Sequence, residues 1–145
     1  MRILISFIVV VLLFGCESKP KKRASAAQLK PDSAEQLAAS IERGGILYTD
    51  FCMQCHMANG KGIEGTFPPL AGSDWLTDKR SESIHAVKYG QSGEIVVNGK
   101  TYNSVMVAMG LSDKEVADAL NYVMNSWGNT QQKMVTAAEV SKVTE

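Results

Sequence analysis

The sequence predicts an all-α domain whose first and last helices cross. Two stretches place apolar side chains at helical steps of three and four, one beginning near Ser33 and the other near Ser112. The first stretch contains a glycine pair at 44–45, and each glycine costs a helix about 1 kcal/mol relative to alanine. Close approach of a second helix is the usual reason for such a cost, and a merely irregular helix is the alternative. We expect the last helix to be the partner, with Tyr48 packed against Tyr122 or one of its neighbours.

Capping and turn residues mark the other elements. Ser112 and Glu115 form a capping box for the last helix, and Gly128 stands where a glycine after the C-terminus belongs. A shorter helix is predicted over about 80–89. The Asn-Gly pair at 98–99, between two apolar runs, favours a hairpin with a type I′ turn. Most of the remaining chain between the two long helices is predicted to be loop.

One short motif carries the chemistry of the chain. The sequence C-M-Q-C-H at 52–56 places two thiols three residues apart, with an imidazole directly after the second. This is the pattern of c-type haem attachment, in which each cysteine bonds to a vinyl group and the histidine ligates iron. A zinc site would need four N or S ligands, and a thioredoxin-like pair would need a βαβ setting; the sequence shows neither. We therefore predict one covalent haem c, held by Cys52 and Cys55, with His56 as an iron ligand.

The loop after this motif is expected to support the histidine. Residues 60–65 spell G-x-G-x-x-G, but no strand precedes them and no helix follows, so a dinucleotide site is rejected. Close passage of backbone along the haem edge is the better role. The carbonyl of Pro68 is predicted to accept the Nδ1–H of His56, which would orient the ring and strengthen it as a ligand. Leu70 is predicted to press on the porphyrin face.

A methionine is the predicted sixth ligand of the iron. Met106 lies about fifty residues beyond His56 and is the first choice, with Met109 as the alternative. Methionines more often fill gaps in a core than bind metals, yet an open sixth position would need an explanation of its own. His85 is a weaker candidate, because most lone histidines of this kind are half-exposed surface residues.

The start of the chain does not look like folded protein. An apolar run over 3–14 leads into the sequence L-F-G-C at 13–16, which resembles the ending of a bacterial lipoprotein signal. The run is short for a bilayer span, which takes about 20 apolar residues. An uncleaved membrane anchor is the alternative. We predict a signal peptide over 1–15 and lipidation of Cys16.

The composition divides the chain into four parts. After the signal peptide, residues 16–31 have almost no large apolar side chains and are predicted to be a lipidated tether. Residues 32–129 form the haem domain, and residues 130–145 are predicted to be a polar C-terminal tail. The chain has 15 basic and 15 acidic side chains, so its formal net charge is zero, and nothing suggests nucleic acid as a partner.

Taken together, these residues resemble the class I cytochromes c over about Ser33 to Gly128. The stretches FPPLAGSDWL, VNGKTYNSVM and NYVMNSWGN are similar, more narrowly, to the cytochrome c domains tethered to copper nitrite reductases and related respiratory enzymes. The marks shared with the wider family are Gly44, Tyr48, Pro68, Leu70, Met106 and Tyr122. That family commonly has proline directly after the ligand methionine, where this chain has Val107.

The resemblance implies a one-electron carrier rather than an enzyme. Covalent haem attachment in bacteria takes place outside the inner membrane. Together with the lipoprotein-type signal, this leads us to expect the haem domain outside the cytoplasm, on the periplasmic side, lipid-anchored to a bacterial membrane. The partners that the resemblance implies are a copper nitrite reductase or a terminal oxidase, docking near the exposed haem edge. A haem subunit fixed within a larger complex is one alternative, and a sensor or enzyme with an open iron position is another. Five basic residues could steer the partner, but acidic residues interleave them, which favours a mixed solvated surface: Lys61, Lys79, Arg80, Lys88 and Lys100.

Overall fold

The computed structural model describes residues 33–131 and 133–145. The predicted signal peptide over 1–15, the tether over 16–31 and the lipidation site Cys16 lie outside the described residues. Among the helices that the structure describes, none is long and apolar enough to cross a membrane.

The described chain is mainly helical, which confirms the predicted fold class. A single antiparallel hairpin is its only regular sheet within the described ranges, with Ile95 opposite Tyr102. The elements, in order, are α1 (Ser33–Leu47), a π-helical turn (Tyr48–Cys52), α2 (Met53–His56), α3 (Asp74–Asp78), α4 (Arg80–Tyr89), β1 (Ile95–Val97), β2 (Lys100–Tyr102), α5 (Asp113–Val123) and α6 (Ala137–Val140).

Helices α1 and α5 cross at the glycine pair, as the sequence predicts. A Cβ atom added to Gly44 would overlap the main-chain carbonyl of Asp118 and would lie 2.7 Å from Cβ of Tyr122. Beside the crossing, the Tyr48 ring packs 5.4 Å from the Tyr122 ring and 5.0 Å from the Trp127 ring, measured between centroids. The missing side chain is therefore what allows the two helix backbones to touch.

Helix α5 begins as predicted but ends earlier. Both hydrogen bonds of the Ser112–Glu115 capping box are present. The helix stops at Val123, and tight turns with positive φ at Trp127 and Gly128 follow. Side chains after the helix compete for its last carbonyls: Ser126 Oγ donates to Tyr122 O at 2.7 Å, and Asn129 Nδ2 donates to Val123 O at 2.7 Å. Gly128 thus ends these turns rather than the helix itself.

The predicted short helix and hairpin are both present. Helix α4 ends at Tyr89, and Gly90 follows with φ 91°. Asn98 and Gly99 have φ of 50° and 73°, the positive values that a type I′ turn requires at both central residues. The Asn98 side chain also accepts from Asp74 N at 3.0 Å, while its own main-chain N–H donates to the Asp74 carboxylate at 2.8 Å. This exchange ties the hairpin to the start of α3.

The prediction of a polar tail at the C-terminus requires a correction. Residues 130–145 are not a separate polar tail, because the compact unit continues to Glu145 and both Val135 and Val140 are fully buried. The side chain of Asn121 pairs with the main chain of Val135, accepting from its N–H at 2.7 Å and donating to its carbonyl at 2.9 Å. The segment is polar in overall composition, but two of its valines are buried in the core.

The same segment is held against α4 by charged groups. The Arg80 guanidinium donates two hydrogen bonds to the Glu139 carboxylate, at 2.7 and 2.9 Å. Lys88 Nζ donates to the carbonyls of Val140 and Val143, at 3.2 Å each. Because α4 also lines the cleft described below, the C-terminal segment supports one wall of the site from behind.

A buried carboxylate joins α1 to α5 beside the crossing. Asp118 accepts hydrogen bonds from Ser40 Oγ at 2.6 Å, from Arg43 Nε at 2.7 Å and from Lys114 Nζ at 2.8 Å. Burial alone would raise the pKa of Asp118, but these hydrogen bonds outweigh it and lower the pKa to about 2. The group is therefore ionised and fully paired at neutral pH.

Candidate haem site

The predicted site residues meet at one apolar cleft of about 1260 Å³, a volume that includes its mouth open to solvent. Its lining is almost entirely apolar, as is usual for a cofactor pocket, so the cleft suits a prosthetic group with a large apolar surface. Seven side chains named from the sequence lie on its wall: Cys52, Cys55, His56, Pro68, Leu70, Met106 and Met109.

The attachment turn follows directly from α1. The helix widens into the π-helical turn, continues through α2 and stops at Met57, whose φ of 63° and ψ of 157° end the helix. The Tyr48 hydroxyl donates to Met57 O at 2.6 Å, and Trp127 Nε1 donates to Ala58 O at 3.1 Å. Burial raises the pKa of Tyr48, which keeps the hydroxyl protonated as a donor. The aromatic residues at the helix crossing therefore also fix the exit of the attachment turn.

His56 is held in one tautomer. Its Nδ1 lies 3.0 Å from the carbonyl oxygen of Pro68, and a carbonyl can only accept, so Nδ1 carries the proton. Burial lowers the pKa of His56, and the bond to Pro68 offsets part of that shift. A neutral imidazole with its proton on Nδ1 leaves the lone pair of Nε2 available for a metal. The structure thus places Pro68 where the sequence analysis expected the acceptor.

The two cysteines are half-buried free thiols on the cleft wall. Burial, with a smaller contribution from neighbouring Cys55, raises the pKa of Cys52 to about 11. At neutral pH the Cys52 thiol is therefore protonated in the chain before attachment. The chain does not hold Cys52 as the thiolate typical of redox-active cysteine pairs.

The glycine-rich loop has a more specific role than expected. A Cβ on Gly62 would overlap the carbonyl oxygen of Phe67 and lie 2.6 Å from that of Pro68. Gly62 N also donates to His56 O at 3.0 Å, and Ile63 and Phe67 pair through two main-chain hydrogen bonds of 2.9 and 2.8 Å. The loop therefore folds back on itself, and Gly62 allows the Pro68 carbonyl to reach the histidine.

Replacing Gly62 with alanine is expected to displace the Pro68 carbonyl and weaken its bond to His56. With His56 as the predicted iron ligand, that bond would make the imidazole donate electron density more strongly to the iron and would favour the ferric state. Its loss should then raise the midpoint potential on the order of tens of millivolts. Potentiometric titration of the haem-loaded protein measures the change. Gly65→Ala is the matched control, since Gly65 has a similar φ of 74° and open space around it. An equal shift in both variants would contradict the role given to Gly62.

Both candidate methionines lie on the loop between β2 and α5, and both line the cleft. His85 does not line it; its ring packs 5.3 Å from that of Tyr89. Because Met106 and Met109 both line the cleft, position alone does not choose between them as the sixth ligand. The same criterion gives no support to His85.

The basic residues that could steer a partner are largely paired with acidic ones. Salt bridges join Lys100 to Glu64, and Lys88 to Asp113 at 3.1 Å. Arg80 pairs with Glu139, as described above, and Lys79 lies 4.0 Å from Glu82. Most of these charges are therefore locally neutralised, which agrees with the expectation of a mixed surface.

Much of the cleft wall was not predicted from the sequence. Its apolar remainder comes from α3 to α5 and the hairpin, and includes Trp75, Ala86, Val87, Val97, Tyr102 and Leu120. Helical spacing marks residues such as Leu120 as apolar and inward-facing, but spacing does not separate contact with a cofactor from contact with the core. Ser83, also on the wall, donates its hydroxyl to Lys79 O at 2.8 Å, so it adds no unpaired polar group.

The residues present fit a haem c. Two cysteines, a histidine held in the Nδ1–H tautomer and two methionines all line one apolar cleft. Together with the crossed helices α1 and α5, this arrangement defines a haem protein of the c type. Cys52 and Cys55 would hold the porphyrin, and His56 would hold the iron. When bound, haem c supplies one-electron exchange between ferric and ferrous iron.

Comparison with known proteins identifies the family. The cytochrome c family matches residues 41–127, and the chain belongs to that family. Cytochrome c-552 of Thermus thermophilus is 39% identical over 116 residues, which cover 74% of this chain and 78% of the relative. The family carries haem c, so covalent haem and its iron are the cofactors of this chain, as predicted.

Two further relatives are longer proteins. The cytochrome c subunit of the quinone alcohol dehydrogenase from Gluconacetobacter polyoxogenes is 32% identical over 123 residues, covering 78% of this chain and 25% of the relative. The cbb3-type cytochrome c oxidase subunit FixP of Bradyrhizobium diazoefficiens is 32% identical over 126 residues, covering 83% of this chain and 41% of the relative. The chain is thus a cytochrome c electron-transfer domain related to cytochrome subunits of respiratory enzymes.

Proposed function

We propose that this protein is a membrane-tethered monohaem cytochrome that carries single electrons to a respiratory terminal reductase or oxidase. The observation that carries the proposal is the pairing of a neutral, Pro68-oriented His56 with methionine sulfur on the wall of the same cleft. His56 and a methionine of the loop between β2 and α5 would both ligate the iron and leave no open position for a substrate, and the bound haem would supply one-electron exchange. The protein then acts as a carrier and not as an enzyme or gas sensor.

The same pair of ligands would raise the redox potential of the haem. A thioether is a soft, neutral ligand that favours ferrous iron, so histidine–methionine ligation raises the potential above that of two histidines. The apolar cleft acts in the same direction, because a low-dielectric surrounding disfavours the additional positive charge of the ferric state. A positive midpoint potential suits delivery of electrons to a terminal enzyme.

The oxidised absorption spectrum of protein matured in a competent host tests the closed iron. The thioether-to-iron band should be present, and the reduced protein should resist carbon monoxide unless denaturant is added. Acid acetone should leave the pigment on the protein, because the haem is attached covalently. Ready binding of carbon monoxide without denaturant would overturn the carrier and favour a sensor or an enzyme with an open iron.

For the partner, we propose a copper nitrite reductase or a terminal oxidase. Similarity to a cbb3-type oxidase subunit supports a respiratory acceptor in general, and the sequence stretches quoted above support the nitrite reductase. Because most of the basic side chains are paired with acids, electrostatic steering should be weak. The rate of electron delivery should then depend only modestly on ionic strength.

We propose that the haem domain lies outside the cytoplasm, on the periplasmic side, and that lipid on Cys16 anchors it to a bacterial membrane. Replacing Cys16 with alanine should release the protein from the membrane fraction and leave its haem content unchanged. Fractionation followed by the haem absorbance of each fraction measures this. A Cys16→Ala variant that stays with the membranes would contradict the lipid anchor.

A haem subunit fixed in a larger complex is the second candidate. Similarity to the cytochrome c subunit of a dehydrogenase favours it. Mild detergent extraction of native membranes separates the two possibilities: a free carrier elutes at its own size, whereas a fixed subunit elutes with its partner chains.

A further inference from the structure

The loop between β2 and α5 offers two thioethers to the cleft, and the surrounding backbone treats them differently. Met106 and Met109 both lie on the cleft wall, only three residues apart. A ligand to iron must present its sulfur from a fixed position, because any freedom of its backbone has to be lost when the bond forms.

The main chain of Met106 is fixed on both sides. Met106 N donates to Gln91 O at 2.8 Å, and Gln91 N donates to Met106 O at 2.8 Å, which closes an isolated antiparallel bridge. Gln91 comes immediately after Gly90, the residue that ends α4. Met106 is therefore positioned relative to a helix that also lines the cleft and is braced from behind by the C-terminal segment.

Gly90 is the residue that permits this bridge. Its φ is 91°, and a Cβ atom at this position would lie 2.6 Å from Met106 O and 3.1 Å from Ala108 N. Any other side chain would push the methionine loop away from Gln91. Gly93, three residues later, has a comparable φ of 85° with nothing within 4 Å of its Cβ position. The two glycines therefore share a left-handed backbone, but only Gly90 contacts the methionine loop.

Met109 has no equivalent support. Within the described parts of the chain, no main-chain hydrogen bond joins Met109 to another segment. Its neighbour Gly110 has φ 69° and open space at its Cβ position. Both methionines thus line the cleft, but only the main chain of Met106 is held in place by another segment within the described residues.

We propose that Gly90 and Gln91 form a positioning corner that presents Met106, and not Met109, to the haem iron. This inference rests on the proposed histidine–methionine ligation and adds the residues that select the ligand. Gly90 leaves room for the Met106 carbonyl because it has no side chain. Gln91 holds Met106 through the two main-chain hydrogen bonds between them. Neither residue needs to touch the haem.

The test compares Gly90→Ala with Gly93→Ala in the haem-loaded ferric protein. Imidazole competes with methionine for the sixth position, so its affinity reports how firmly the thioether is held. Gly90→Ala should raise that affinity about tenfold or more, the scale of losing two main-chain hydrogen bonds, and should weaken the thioether-to-iron band. Gly93→Ala carries the same backbone strain and should stay within about twofold of the parent. Equal effects of the two variants would overturn the proposal.

A measurement on the unmodified protein covers the case in which Gly90→Ala fails to fold. Amide hydrogen exchange of the haem-loaded protein should show protection at Met106 and Gln91 and fast exchange at Met109. A Met106 amide that exchanges as fast as that of Met109 would overturn the positioning corner.

Two further outcomes separate this inference from the proposed function. If Met109→Ala removes the thioether band and Met106→Ala does not, the corner is wrong and the closed-iron carrier stands. If the parent protein lacks the band altogether, the proposed ligation itself fails, and the inference fails with it.

Discussion

Replacing Gly44 with alanine is expected to destabilise the domain by about 3 kcal/mol or more, the upper range for forcing atoms into a packed contact. The added methyl group would overlap the main-chain carbonyl of Asp118 and press on Cβ of Tyr122, and neither is the movable end of a side chain. Helices α1 and α5 would have to separate, which would also disturb the Tyr48 packing that holds the attachment turn. Chemical denaturation of the haem-loaded protein measures the loss.

Gly45→Ala is the matched control for this prediction. The nearest atoms to its Cβ would be ring carbons of Tyr122, at 3.2 and 3.3 Å, and a ring can shift by a few tenths of an ångström. Alanine also favours a helix by about 1 kcal/mol over glycine. We expect a net change within about 1 kcal/mol of zero. Similar losses in the two variants would mean that the crossing does not depend on close contact at Gly44.

Replacing Met106 with alanine is expected to produce the largest functional change. The thioether-to-iron band should disappear from the oxidised spectrum, and the midpoint potential should fall on the order of 100 mV, within the roughly 0.8 V that axial ligands span. The fall follows from losing a ligand that favours ferrous iron. Voltammetry and absorption spectroscopy on the same sample measure both effects.

Met109→Ala is the control for the ligand assignment. It removes a thioether from the same loop and the same cleft and should leave both the band and the potential nearly unchanged. The Met106 variant should also bind carbon monoxide readily when reduced, because its sixth position is open. If Met106→Ala retains the band and the potential, the ligand role passes to Met109.

Much of the framework was predictable from sequence because local chemistry determines it. The capping box at Ser112 requires only residues three apart, and the hairpin follows from the positive φ that Asn98 and Gly99 accept. The helix crossing was predictable for a different reason. A glycine pair at 44–45 in an otherwise regular helix carries an energetic cost, and close approach of another helix accounts for it.

Other features depend on contacts that spacing does not reveal. The end of α5 at Val123 is set by the side chains of Ser126 and Asn129, which turn back to bind its last carbonyls. The C-terminal segment looks polar on average, yet Val135 is buried because Asn121, 14 positions away, satisfies its main chain. The role of Gly62 depends on its close approach to the main-chain carbonyl of Pro68, which the sequence pattern does not show. In each case the deciding partner is distant in sequence or is a main-chain atom.

The carboxylate of Asp118, which is shared by α1 and α5, contributes stability that mild acid does not remove. A carboxyl group whose folded pKa lies below its unfolded value contributes stability above the unfolded pKa and loses that contribution as the pH falls toward the folded value. For Asp118, with a folded pKa of about 2, the contribution is complete above about pH 4 and declines only between there and about pH 2. In mildly acidic solution Asp118 therefore stays ionised and keeps its hydrogen bonds to Ser40 and Arg43 of α1. We therefore expect acid to separate the crossed helices through Asp118 only in strongly acidic solution.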